Sequence, residues 1–146
     1  MSASFFLDTN ILIYSFDNNQ PRKKERALAL IGEALQNRQG MISTQVVQEF
    51  LNVVTRRFAV PLSLEDCQVY LKMVLGPLCK VYPDMALYET SLEIQHKMGY
   101  SFYDALILAG AVHGGCEVLY SEDLQDGQLV ETVRIINPFS DIKEAA

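Results

Sequence analysis

What this chain has little of narrows the reading first. Its three cysteines, Cys67, Cys79 and Cys116, are odd in number, widely spaced and free of any C-x-x-C pair. That pattern suggests neither a disulfide framework nor a thiolate zinc site, and points to reduced core residues. The two histidines, His96 and His113, stand apart from each other and from the cysteines, and neither is assigned a role. Any metal here must therefore be held by oxygen. No apolar stretch approaches the length that spans a bilayer, and Met1-Ser2-Ala3-Ser4 lacks the basic start of a signal peptide. A cytoplasmic protein with no membrane association is expected. Positive charge is also scarce, with 12 basic against 18 acidic residues and a net charge of −6. Such a balance argues against nucleic-acid binding by bulk electrostatics, unless bound cations neutralise some carboxylates or the groups Arg22-Lys23-Lys24 with Arg26 and Arg56-Arg57 act together. Internal repeats and low-complexity segments are absent.

What is present is the makeup of one globular domain. The 146 residues are 49% hydrophobic and 21% charged, enough for one substantial core and too few for two ordinary domains. We expect a single domain over 1–139 and a loose C-terminal tail over 140–146.

The chain opens on S-F-F-L-D-T-N-I-L-I-Y, where the apolar run Phe5-Phe6-Leu7 reads as a buried strand and Asp8 sits at its carboxyl end. In parallel α/β sheets those ends line the binding crevice. An Asp or Asn in this place is also a favoured helix cap, so Asp8 needs partners elsewhere before it is read as a ligand.

The spacing then predicts a helix from Pro21 to about Gln39 with Gly40 as its stop, and a strand over 41–43. Val46, Val47, Phe50, Val53 and Val54 mark one face of the next helix, which ends at Arg56-Arg57. Glu49 lies on or beside that apolar face, where a carboxylate needs a partner or bends to water. Ser63 caps a helix running to Gly76-Pro77, Lys80 to Pro83 reads as a third strand, and Asp84 caps a helix that Gly99 ends. Ser101 precedes an almost wholly apolar helix that carries Asp104 in its first turn. Ser101 and Asp104 have the spacing of a capping box, yet an acid beside free backbone amides also suits a ligand. After Gly114-Gly115, Val118-Leu119-Tyr120 forms a strand and Ser121-Glu122-Asp123 follows, so acids again stand at a strand's carboxyl end. Val133 to Ile136 is the last strand and Asn137-Pro138 a turn.

Strands alternating with helices predict an α/β fold with a mainly parallel sheet covered on both faces. Four carboxylates meeting at one sheet edge would repel and their pKa values would rise. Hard divalent ions relieve that penalty, and oxygen-only donors favour Mg²⁺ or Mn²⁺ over zinc or copper.

The ordered set F-L-D-T-N-I-L-I-Y, Q-E-F-L-N-V, S-F-Y-D-A-L-I and L-Y-S-E-D-L-Q-D-G resembles the PIN-domain ribonucleases, and especially the toxins of VapBC toxin-antitoxin pairs, from Phe5 to Phe139. The resemblance implies a three-layer α/β/α fold with a short, mainly parallel central sheet. It further implies that Asp8, Glu49, Asp104 and Asp123 form an acidic quartet for one or two Mg²⁺ or Mn²⁺ ions. Asn10 would brace the first acid and Ser121 orient the fourth. Many relatives carry a second aspartate and an aromatic after the fourth acid, where this chain has Gln125 and Asp126, which leaves open whether Asp126 or Glu122 holds a second metal or contacts RNA. The implied activity is metal-assisted, in-line hydrolysis of RNA, leaving a 5′-phosphate and a 3′-hydroxyl with no covalent intermediate. The implied partners are a cognate antitoxin and a second copy of the chain. Two other readings stay open at this point: a PIN-like module that binds RNA or protein without cutting, and a receiver-type domain phosphorylated on an aspartate, although Val133 to Ile136 is not followed by the lysine the latter requires.

Overall fold

The computed structural model of the chain describes residues 3–56 and 61–143. Strands β1 (Phe5–Leu7), β2 (Gly40–Ser43), β3 (Cys79–Val81), β4 (Val118–Tyr120), β5 (Leu129–Val130) and β6 (Val133–Ile136) form one sheet in the order β3-β2-β1-β4-β6-β5. All neighbours run parallel except β5 and β6. The β1 strand lies inside the sheet between β2 and β4, and Phe5, Phe6 and Leu7 are all buried. A strand covered on both faces requires such an unbroken apolar run.

Helices α1 (Thr9–Tyr14), α2 (Pro21–Asn37), α3 (Thr44–Arg56), α4 (Leu64–Tyr70), α5 (Gly76–Leu78), α6 (Met85–Met98) and α7 (Phe102–His113) connect and cover the strands. The fold is α/β with a mainly parallel sheet, as expected. The expected caps form: Ser63 accepts from the Asp66 amide, Asp84 from Leu87 at 2.8 Å, and Ser101 from Asp104 at 3.3 Å. Phe6, Leu7, Ile11, Leu12, Ile42, Val46, Phe50, Leu108, Leu119 and Ile135 form the fully buried centre. Each such side chain contributes about 1.5–3 kcal/mol on leaving water. The core thus fixes β1, α3 and α7, from which or next to which Asp8, Glu49 and Asp104 project.

Several local expectations change. Gly40 does not stop α2; Arg38 does, in a left-handed conformation with φ 60°. Gly40 opens β2 because a Cβ there would lie 2.2 Å from the Ala34 Cβ and 2.7 Å from the Phe5 ring. Nor does Gly76-Pro77 end the fourth helix. A π-helical turn over Leu71–Leu75 follows α4, the Gly76 amide donates to the Leu71 carbonyl, and Gly76, Pro77 and Leu78 make the short α5. Widening the helix before Pro77 accommodates its ring and its missing amide. The third strand begins at Cys79 and ends at Val81, leaving Tyr82 exposed. The β5 strand was not expected; it pairs with β6 through a two-residue turn in which Glu131 has φ 53°. Arg57, expected beside Arg56 at the helix end, lies outside the described residues, as do residues 144–146 of the tail. The start of that tail folds back: the Ile142 amide donates to the Phe139 carbonyl at 2.9 Å and Asp141 pairs with Arg26 at 3.1 Å. Among the described residues no helix is long and apolar enough to cross a membrane, and all three cysteines are free.

Candidate active site

Asp8, Glu49, Asp104 and Asp123 come from four separate elements and line one cavity of about 360 Å³, with Thr9, Asn10 and Asn52 beside them. No described residue of its lining is Lys, Arg or His. Asp8 follows β1 and caps α1, and the same side chain lines the cavity. Its amide continues the parallel ladder to the Tyr120 carbonyl at 3.0 Å. Its Oδ1 accepts from the Thr9 amide at 2.7 Å, and its Oδ2 accepts from Ser121 Oγ at 2.7 Å and Asn10 Nδ2 at 3.4 Å. Asp8 is only 7% exposed. Its pKa is raised to about 6: burial pushes it up most, the Ser121 and Thr9 bonds pull it down, and the charges of Glu49 and Asp123 push it up.

Glu49 projects from the half-buried side of α3. Thr9 Oγ1 donates to its Oε1 at 2.7 Å and Gln45 Nε2 to its Oε2 at 3.4 Å. Gln45 is one helical turn before Glu49, the spacing at which side chains meet, and its Nε2 also donates to the Tyr103 carbonyl at 3.0 Å. It therefore ties the helix bearing Glu49 to the start of the one bearing Asp104. Ser101 caps α7 through the Asp104 amide, while the Asp104 side chain lines the cavity.

Asp123 follows β4 on a short loop. Its Oδ2 accepts from Asn10 Nδ2 at 3.1 Å, and its amide donates to Ser121 Oγ at 3.2 Å. Asn10 thus reaches both Asp8 and Asp123. Ser121, expected to orient the fourth acid, also donates to the first. Two acids lie elsewhere. Asp126 Oδ1 accepts from the Asn137 amide at 2.8 Å and is absent from the cavity lining. Glu122 turns to Tyr14 and Lys23, with Lys23 Nζ at 2.7 Å from its Oε2. Burial alone would lower the Lys23 pKa, but its bonds to Glu122 and Tyr14 outweigh that and hold it above the usual range. Thr9, Gln45 and Tyr14 were not singled out in the sequence, and Lys23 was read only as one of a basic group; of these only Gln45, four residues before Glu49, leaves a local signal.

The donor set is oxygen throughout, and the Asp8 charge is destabilised where it stands. Both features fit a hard divalent cation. Among the described residues no group of three Asp, Glu, His or Cys side chains is already drawn into a ready ligand set. Neutral donors engage Glu49 and Asp123 where they are.

A family model described as the PIN domain matches residues 5–125. No curated protein matches. Among solved structures, one described as a toxin-antitoxin complex from Klebsiella pneumoniae is 21% identical and superposes with a TM-score of 0.68, covering 92% of this chain and 98% of that one. FitAcB from Neisseria gonorrhoeae is 20% identical with a TM-score of 0.61, covering 93% and 99%. VapC20 of Mycobacterium tuberculosis, described as a sarcin-ricin loop cleaving toxin, is 22% identical with a TM-score of 0.61, covering 82% and 90%. At these identities the likeness is one of fold.

Proposed function

The chain belongs to the PIN-domain family, and from that premise we propose that it is a divalent-metal-dependent endoribonuclease, the toxin of a toxin-antitoxin pair, acting in the cytoplasm. The observation that carries the reading is the meeting of Asp8, Glu49, Asp104 and Asp123 in one cavity with no described basic residue in its lining. In this reading Asp8, Asp104 and Asp123 hold Mg²⁺ or Mn²⁺, and Glu49 holds the ion or positions the attacking water. The bound ion supplies positive charge to the non-bridging and leaving oxygens and acidifies the water.

The protein's own part is to hold these oxygens in place. Ser121 and Asn10 fix Asp8 from two directions, and Asn10 restrains Asp123. Thr9 holds one oxygen of Glu49 and Gln45 the other. Such positioning converts binding into geometry for in-line attack. Hydrolysis would leave a 5′-phosphate and a 3′-hydroxyl, with no nucleophilic side chain required.

Substrate binding follows from the same charges. With acids lining the cavity and a net charge of −6, RNA phosphates approach only when cations are present, and single-stranded loops thread most easily into such a site. The likeness in fold to a toxin-antitoxin complex from Klebsiella pneumoniae supports an antitoxin partner. Exposed Leu64, Val69 and Met73 offer apolar surface for burial against it or against a second copy. The test is cleavage of end-labelled structured RNAs by partner-free protein in Mg²⁺ or Mn²⁺, beside an EDTA lane and the Asp104→Asn variant. Discrete cuts lost in both controls support the proposal. Metal binding without cuts on any RNA would favour the non-catalytic PIN-like module.

A further inference from the structure

Glu122 stands between two site residues, Ser121 and Asp123, yet its side chain leaves the cavity. Lys23 Nζ donates to its Oε2 at 2.7 Å, and the Tyr14 hydroxyl donates to its Oε1. Lys23 is 7% exposed, and a lysine is rarely that buried without a partner. Its ammonium also lies 3.4 Å from the Tyr14 hydroxyl, 4.8 Å from the centre of the Tyr14 ring and 5.8 Å from that of Phe139. The cluster therefore joins the end of α1, the first turns of α2 and the loop after β4.

The other end of Glu122 reaches the acids. Its backbone amide donates to Asn10 Oδ1 at 3.3 Å. An asparagine side chain has one accepting and one donating end, so anchoring the oxygen directs the nitrogen. That nitrogen meets Asp123 Oδ2 at 3.1 Å, and Asp8 Oδ2 and Ser121 Oγ at 3.4 Å each. Where Glu122 sits thus decides how Asn10 faces the two acids.

We propose that Lys23 is a positioning residue for the acidic site: through Glu122 it sets the orientation of Asn10 against Asp8 and Asp123, and with Tyr14 it keeps the Glu122 charge out of the cavity. The inference rests on the metal-dependent reading for its consequence, not for its geometry. Removing the ammonium leaves the Glu122 carboxylate, 25% exposed, without its cation. Its relief is to swing toward water, carrying with it the amide that anchors Asn10.

The test uses the full chain. In EDTA, the side-chain amide signal of Asn10 and the backbone amide signal of Asp123 are followed by nuclear magnetic resonance in Lys23→Met, Lys23→Arg and Glu122→Gln. We expect Lys23→Met to move both signals while those of α6 stay, and Lys23→Arg to restore them. Calorimetry with Mn²⁺ should then show an affinity about 10–100-fold weaker in Lys23→Met, the usual loss when a residue supporting a ligand is removed. Adding Glu122→Gln to Lys23→Met should recover part of that loss, because the Glu122 carboxylate left without its lysine is then gone. Should Lys23→Met fail to fold, Glu122→Gln alone carries the test, with a smaller change in the same direction. An unmoved Asn10 signal with unchanged Mn²⁺ affinity would overturn the inference even if the melting temperature fell. Failure of the wild-type protein to cut RNA would refute the ribonuclease reading alone, since neither measurement uses RNA.

Discussion

If Asp8 is held ionised against its surroundings, the metal-free protein must lose stability as pH rises, and Asp8→Asn must abolish that loss. Burial, then the neighbouring charges, lift its pKa from 3.8 to about 6 against the pull of Ser121 and Thr9. A folded-state value above the unfolded one means that the folded protein binds the proton more tightly. The contribution is therefore neutral below about pH 4, turns unfavourable as pH climbs through the folded value, and levels off above it. At about 1.4 kcal/mol per pH unit the full cost is roughly 3 kcal/mol, of which about 1.3 kcal/mol falls between pH 5 and pH 7.5.

Urea unfolding in EDTA at those two pH values, for wild type and Asp8→Asn, measures it. Asparagine cannot accept every bond Asp8 makes, so the two proteins will differ by a constant. The informative quantity is the change in their difference, about 1 kcal/mol in favour of the variant at the higher pH. Other carboxylates titrate in both proteins and largely cancel. Adding Mg²⁺ should reverse the trend in the wild type alone: ion at about 100 times its dissociation constant adds roughly 2.7 kcal/mol, more fully where Asp8 is ionised. Parallel wild-type and variant pH profiles in EDTA would refute the electrostatic argument for the site.

Asp104→Asn should abolish metal-dependent cleavage yet shift the unfolding midpoint by less than about 1 kcal/mol, since Asp104 is only half-buried and its amide bond to Ser101 survives; wild-type turnover in a gel assay would contradict its assignment. Ser121→Ala removes the hydroxyl bonded to Asp8 Oδ2, so the Asp8 pKa should rise further and the acid limb of Mn²⁺ binding should move to higher pH, read by calorimetry across a pH series. Gly40→Ala places a Cβ 2.2 Å from the Ala34 Cβ and should cost about 1–3 kcal/mol in denaturant unfolding, while activity per folded molecule is unchanged.

The parts of the fold legible in the sequence are those whose chemistry is local. Phe5-Phe6-Leu7 followed by Asp8 announces a buried strand and its end within four residues, and Ser63, Asp84 and Ser101 cap the helices they precede. Gly40 misled because a glycine required for close packing looks the same as one required for a left-handed stop, and that stop falls on Arg38. The β5 strand escaped notice because its turn uses Glu131-Thr132 in place of the usual glycine or asparagine. At the site the acids themselves were legible through their order along the chain. Of their supports Asn10 and Ser121 were legible too, but the others were not: Lys23 and Glu122 are 99 positions apart, and Asp126 is drawn to the Asn137 amide by folding.

How the acids are supported also bears on what they are for. Ser121, Asn10, Thr9 and Gln45 orient Asp8, Glu49 and Asp123 without carrying charge. A lysine or arginine in the same places would orient the carboxylates as well, and would neutralise them. It would also lower the Asp8 pKa and compete with any divalent ion for the same oxygens. The buried lysine closest to these residues in the hydrogen-bond network is Lys23, and it pairs with Glu122, the acid that faces away from the cavity. Among the described residues, neutral donors toward the quartet and a cation toward the neighbouring acid leave the cavity lining negative, and an all-oxygen site of that charge favours a hard divalent cation.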